Sequence, residues 1–153
     1  MIRGRCIRVL IVITDNNAEN LAQMETCVRT VFPDAEIHGF VDGNKALAWC
    51  LQAGRIDLFF GHYWDVDDDA PTMEAALILQ KIEQKPRYTV FFAGDTRFAQ
   101  DAEMDNGDAF FVRPVTVEKI RKSVKNMPQI ASASESGIKS GKGFFRRLFG
   151  TRP

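Results

Sequence analysis

His62 stands directly behind the short apolar run 56–60, and after it come Tyr63, Trp64 and four aspartates within residues 65–69. These are the side chains of the middle of the chain that could do chemistry. A histidine can accept a phosphoryl group, but it needs a partner that orients the imidazole. Alternate carboxylates at Asp65, Asp67 and Asp69 suggest a calcium loop. Such a loop needs Gly at its sixth position and Glu at its twelfth, and here those places hold Ala70 and Ala76. A solvated acidic insertion is the better reading, with a weak divalent site left open. Zinc has no local spacing to use, because the only histidines are His38 and His62. No catalytic constellation and no cofactor motif emerges.

The elements that place these residues alternate. Residues 7–13 (IRVLIVI) read as a buried strand, and Thr14-Asp15-Asn16-Asn17 ends it with helix-capping side chains. Leu21, Met24, Val28 and Val31 then recur at helical spacing until Phe32-Pro33. A strand at 36–41, a helix through Ala46, Leu47 and Leu51, and the apolar strand ending near His62 follow. Pro71-Thr72 opens a helix carrying Met73, Leu77 and Ile82, and 87–93 is a fourth strand. A weaker helix at about 96–106, a strand at 109–112 and a helix marked by Val117, Ile120 and Val124 complete the pattern. Five strand–helix alternations with short connections predict an α/β domain, a five-stranded parallel doubly wound sheet with helices on both faces. In such sheets ligands collect outside the carboxyl ends of the strands. His62 lies at such an end.

Composition narrows the class further. Lys plus Arg (20) balances Asp plus Glu (20), so no overall charge favours nucleic acid. No apolar run approaches the ~18–20 residues of a membrane span. The N-terminal apolar stretch runs into polar residues rather than a small-residue cleavage site. Cys6, Cys27 and Cys50, odd in number and set among apolar residues, read as small core residues of a reducing compartment. Cytoplasmic residence is expected.

The segment Phe110-Phe111-Val112-Arg113-Pro114-Val115-Thr116, together with His38-Gly39-Phe40-x-Asp42-Gly43-x-x-Ala46-Leu47 and Phe98-Ala99-x-x-Ala102, resembles the receiver domains of bacterial two-component response regulators. The resemblance runs from about Ile7 to Val124. It implies a flavodoxin-like (receiver) fold and a role in signal transduction. A working receiver holds Mg²⁺ with two acidic residues after the first strand and phosphorylates an aspartate ending the third. A Thr or Ser ending the fourth strand and a Lys ending the fifth bind the phosphate, because phosphoryl transfer depends on charge neutralisation and positioning. By position, the acidic pair falls on Ile13 and Thr14, the acceptor on His62, the Thr/Ser on Ala93 and the Lys on Arg113. A shift of one residue would bring Asp15 into the acidic pair. Ile13 cannot bind a hard cation, Ala93 cannot donate, and Arg is no conservative replacement for Lys at a tight site. A pseudo-receiver with the fold retained and the phosphorylation chemistry gone is expected. Its His62 would be a strand-end imidazole bonded to a neighbour such as Asp15, or one that tunes the site with pH beside Arg113.

Residues 1–127 form the expected domain, 128–141 a flexible Ser- and Gly-containing linker, and 142–153 a basic aromatic segment. In that segment Phe144, Phe145, Leu148 and Phe149 share one helical face, with Arg146 and Arg147 elsewhere. Such an end can lie in a membrane interface, dock into a partner or fold back on its own domain. Tyr63 and Trp64 could form an exposed contact patch or fold over the vacated site. Asp101, Glu103 and Asp105 on the fourth helix oppose Lys119, Arg121 and Lys122 on the fifth, which would suit a symmetric homodimer. With no output domain after the receiver-like part, the expected function is a non-enzymatic adaptor acting by protein contact, without direct nucleic-acid binding. A phosphorelay regulator with an atypical acceptor, or a transcription regulator acting through a partner, are the alternatives.

Overall fold

The computed structural model describes residues 8–63 and 74–128. Within them the strands are β1 (Leu10–Thr14), β2 (Glu36–Phe40), β3 (Leu58–His62), β4 (Tyr88–Ala93) and β5 (Ala109–Val112). The helices are α1 (Ala18–Val31), α2 (Gly43–Gln52), α3 (Ala75–Lys81), α4 (Ala99–Met104) and α5 (Val117–Ser123), with one 3₁₀ turn at Thr96–Phe98 leading into α4. The strands form one parallel sheet in the order β2-β1-β3-β4-β5. Right-handed crossovers place α1 and α5 on one face and α2, α3 and α4 on the other.

Helix starts are written locally. Asn17 accepts from the Asn20 amide at 2.9 Å, Asp42 from Asn44 at 2.8 Å and Thr116 from Lys119 at 3.1 Å, each satisfying an amide that the helix itself cannot. The fourth helix is the weakest: it begins as a 3₁₀ turn capped by Asp95 and closes at Asn106, whose φ of 69° lies in the left-handed region. Pro71 and Thr72, read as a helix start, lie outside the described residues.

Consecutive strand residues face opposite sides of the sheet, and this chain uses phenylalanine pairs to fill both. Phe59 and Phe60 in β3, Phe91 and Phe92 in β4, and Phe110 and Phe111 in β5 are all buried. Each such ring contributes on the order of 2 kcal/mol of burial. Gly61 is the exception that makes room. A Cβ there would sit 2.6 Å from the Ala75 Cβ and 3.2 Å from the Phe91 ring, so α3 can press onto β3 only over a bare backbone.

Two buried aspartates that the sequence pattern did not single out close the sheet where the strands begin. Asp57 precedes β3 and accepts from the Leu10 amide at 2.8 Å, while Arg55 pairs with it at 3.0 Å. Asp108 precedes β5 and accepts from the Thr89 amide at 2.8 Å. β1 begins at Leu10 among the described residues. The amide of Leu10 is satisfied by the Asp57 side chain, while the Val9 carbonyl still accepts from the Glu36 amide at 2.9 Å. The buried Cys50 and half-buried Cys27 pack as small apolar residues, as expected.

Candidate functional site

The carboxyl ends of β1, β3, β4 and β5 converge on one cluster. Ladder registry sets Thr14 beside Gly61 and His62 beside Phe92. Backbone bonds carry the alignment one residue further, from the Asp15 amide to Phe40 O at 3.0 Å and from the Arg113 amide to Ala93 O at 2.9 Å. The turn between β1 and α1 is held by Asp15 itself, whose Oδ1 accepts from the Asn17 amide at 3.1 Å.

Asp15 is the centre of the cluster. Its side chain is fully buried, and its Oδ2 accepts from Arg113 Nη2 at 2.5 Å. A buried carboxylate needs such a partner, because the cost of leaving it unpaired is several kcal/mol. The Arg113 guanidinium in turn lies 5.7 Å from the centre of the Phe92 ring, where the aromatic face attracts a cation. The Arg113–Pro114 peptide is cis.

His62 is only 3 % exposed and leans on Phe92, ring centres 5.4 Å apart. Its Nδ1 is 3.9 Å from Asp15 Oδ1, too far for a hydrogen bond, and that nitrogen has no bonding partner among the described residues. Desolvation, reinforced by the Arg113 charge, pushes the imidazole down to about 3. Both causes favour the neutral imidazole. Both specific expectations for it need correction: Asp15 is committed to Arg113 rather than to the imidazole, and a group with so low a value cannot tune the site near neutrality.

No family model matches the chain, and no curated protein matches it in sequence. Solved structures do. The bacteriophytochrome response regulator RtBRR superposes with a TM-score of 0.66 at 12 % identity, over 94 % of this chain and 91 % of that one. CheY4 of Vibrio cholerae, a chemotaxis response regulator, gives 0.63 at 14 % identity over 79 % and 99 %. A CheY-like receiver domain from Methanospirillum hungatei gives 0.60 at 16 % over 78 % and 92 %. The chain has the receiver fold.

In the receiver fold the residues after β1 and at the ends of β3, β4 and β5 surround the phosphorylation site. Not all of the residues expected there stand at a strand end. Ile13 does not: it is fully enclosed in the core. Thr14 is the last residue of β1 and Asp15 the first residue after it. His62, Ala93 and Arg113 fall at their expected strand ends. These residues do not suit Mg²⁺. The ion wants several oxygen ligands in octahedral array, and the one carboxylate that the described residues bring to the cluster, Asp15, is held by a guanidinium. The adjoining hollow, about 310 Å³, is lined by Asn20, Gln23, Met24, Phe92, Arg113 and Pro114, with no carboxylate. Among the described residues no group of three or more His, Cys, Asp or Glu could hold a metal.

The other candidate residues are dispersed. Tyr63 is no exposed patch. It is buried, stacked on Phe98 at 5.6 Å and close to Phe91 at 4.8 Å, and its hydroxyl donates to Asp105. Burial, then the Asp105 contact, pushes that hydroxyl far above its ordinary range. Trp64, the aspartates at 65–69 and the segment 142–153 with Phe144, Phe145, Arg146, Arg147, Leu148 and Phe149 lie outside the described residues. The charged α4–α5 face is thinner than its sequence suggested. Asp105 turns inward to Tyr63, and Lys119 spends its ammonium on Val112 O at 2.7 Å and Pro114 O at 3.1 Å. Arg121 and Lys122 line a groove toward α1. Asp101 and Glu103 remain on α4. No helix among the described residues is long and apolar enough to cross a membrane.

Proposed function

We propose that the chain is a phosphorylation-independent signalling adaptor, a pseudo-receiver that acts through protein contacts and has no enzymatic step of its own. The observation that carries this reading is the Asp15–Arg113 pair at 2.5 Å. The carboxylate that would help to hold a metal and the cation that would meet a phosphoryl group neutralise each other. The third strand meanwhile ends in a neutral imidazole rather than a carboxylate. Phosphoryl transfer needs unspent charge at those places. The receiver fold, shared with response regulators, supports a place in a signalling pathway.

The test is intact-mass measurement after incubation with a small phosphodonor and Mg²⁺ at neutral pH. No phosphoryl adduct should form. His62 presents the alternative acceptor, since its buried Nδ1 lacks a partner among the described residues. An adduct that is lost on brief acid treatment and absent from His62→Gln would establish the phosphorelay reading in place of ours.

A further inference from the structure

Two grooves on the described surface play no part in the strand-end cluster. One, about 790 Å³, runs between α1 and α5 past Val31 and Val124, and its charges are Arg121, Lys122 and Lys125 against Glu118. The other, about 360 Å³, lies between α3 and α4 where β4 and β5 begin. Ala76, Leu79 and Met104 give it apolar walls, Asp105 lines its α4 side, and Lys85 and Arg87 its β4 side. A cavity of about 150 Å³ holds one benzene ring, so this one has room for about two. Met104 is 74 % exposed, the most exposed large apolar side chain among the described residues.

We infer that the α3–α4 groove is the docking site of the chain's own segment 142–153, bound in cis. Size fits: Phe144, Phe145, Leu148 and Phe149 supply rings and a branched chain for the apolar patch of Ala76, Leu79 and Met104 in an otherwise polar groove. Charge selects between the two grooves. After Glu135 the chain carries Lys139, Lys142, Arg146, Arg147 and Arg152 and no acidic side chain. The α1–α5 groove, with three cations to one anion, repels such a segment. On the α3–α4 side, Asp101 and Glu103 stand exposed or half-exposed on the same short helix as Met104. The lining cations Lys85 and Arg87 are matched by the lining anions Asp105 and Asp108, so this groove, unlike the other, carries no excess of positive charge. Position also fits. Ser123 O, at the end of α5, accepts from the Tyr88 hydroxyl at 2.9 Å, and Tyr88 lies between the groove residues Arg87 and Thr89. The chain therefore leaves α5 at the same end of the sheet as the groove but on the opposite face, so the linker must round the β5 edge. A Ser- and Gly-containing stretch as long as 129–141 spans about 20 Å by coil statistics, which gives a local concentration in the millimolar range. A weak contact suffices.

The experiment compares amide spectra of the full ¹⁵N-labelled chain with two full-length variants, Phe145→Ser/Leu148→Ser in the segment and Met104→Arg in the groove. Met104 is exposed, so its replacement leaves the core intact, and unchanged α1 and α2 amides verify that. The expected result is that the amides of Ala76, Leu79 and Asp105 shift in the same direction in both variants, and that wild-type positions do not change on dilution. Unchanged groove amides in the segment variant overturn the inference. So do shifts confined to α1 and α5, or shifts in wild type that fade on dilution, which would mark a second copy as the host. Flotation of wild type with anionic vesicles, alongside unchanged groove amides, would show that the segment binds lipid instead.

Discussion

Acid should unfold this domain through one buried imidazole, and the size of the effect can be worked out. In the unfolded chain His62 titrates near ~6.5. In the folded chain it is driven down to about 3, first by desolvation and then by Arg113. Between these values the unfolded state binds a proton that the native state refuses, so stability falls as pH falls. Integration from pH 7 to pH 5 gives a loss of about 2 kcal/mol from this residue alone, and the same loss follows for any folded value below about 4. Below pH 6 the slope approaches about 1.4 kcal/mol per pH unit. Urea titrations at pH 7, 6 and 5 measure it, and the midpoint should drop by roughly 1 M. Carboxylates titrate as well, so the comparison that isolates His62 is wild type against His62→Gln. The difference between their stabilities should shrink by about 2 kcal/mol over the window. A difference that stays flat from pH 7 to pH 5 refutes the claim that the imidazole is buried and neutral.

Three substitutions test the rest of the structure by chemical denaturation. Arg113→Ala strands the enclosed Asp15 carboxylate and should cost about 3 kcal/mol, whereas Asp15→Asn should cost less, because Arg113, 24 % exposed, can turn its charge to water; equal costs would contradict the burial asymmetry. Gly61→Ala drives a methyl to 2.6 Å from the Ala75 Cβ and should cost about 1–3 kcal/mol by overpacking. A neutral result would mean that α3 is not pressed onto β3. Asp57→Ala removes the acceptor of the Leu10 amide and should cost about 1–3 kcal/mol, with faster hydrogen exchange at Leu10 as its local signature.

The fold was legible because its signals are long and mutually consistent: five apolar strands, capping residues at Asn17, Asp42 and Thr116, and helical spacing between them. The strand-end cluster was legible only to within one residue. Ile11, Val12 and Ile13 are all fully buried, because a strand inside a doubly wound sheet has no solvent face. Without apolar–polar alternation, nothing in β1 marks where it ends. The usable signal lay downstream. Asn17 caps α1, and its amide is bonded to Asp15, which ties Asp15 to the turn and leaves Ile13 in the strand. Tyr63 was left undecided, between exposed and folded inward, for a different reason. Its neighbours in sequence are polar, but the Phe91 and Phe98 rings and the Asp105 carboxylate that enclose it come from distant parts of the chain. Asp57 and Asp108 went unnoticed because an aspartate before a strand looks like an ordinary turn residue until the neighbouring strand's amide is known.

The Asp15–Arg113 pair also bears on why such a site would keep two opposite charges at all. If phosphorylation were simply lost, apolar replacement of both residues would cost little, since buried ion pairs rarely outperform well-packed hydrophobic groups. What a pair at 2.5 Å does provide is a bond between the β1–α1 turn and the end of β5, two segments that the sheet order separates by β3 and β4. That bond spans the mouth of the site from one side to the other. A receiver fold that signals by changing shape needs this mouth to move, whereas an adaptor needs it to stay. On the adaptor proposal the pair acts as a fixed strut across that mouth rather than as a remnant of catalysis. The double replacement Asp15→Leu/Arg113→Met separates these views: it should retain most of the stability while increasing hydrogen exchange at Asn17 and Val115, whereas a mere remnant would leave that exchange unchanged.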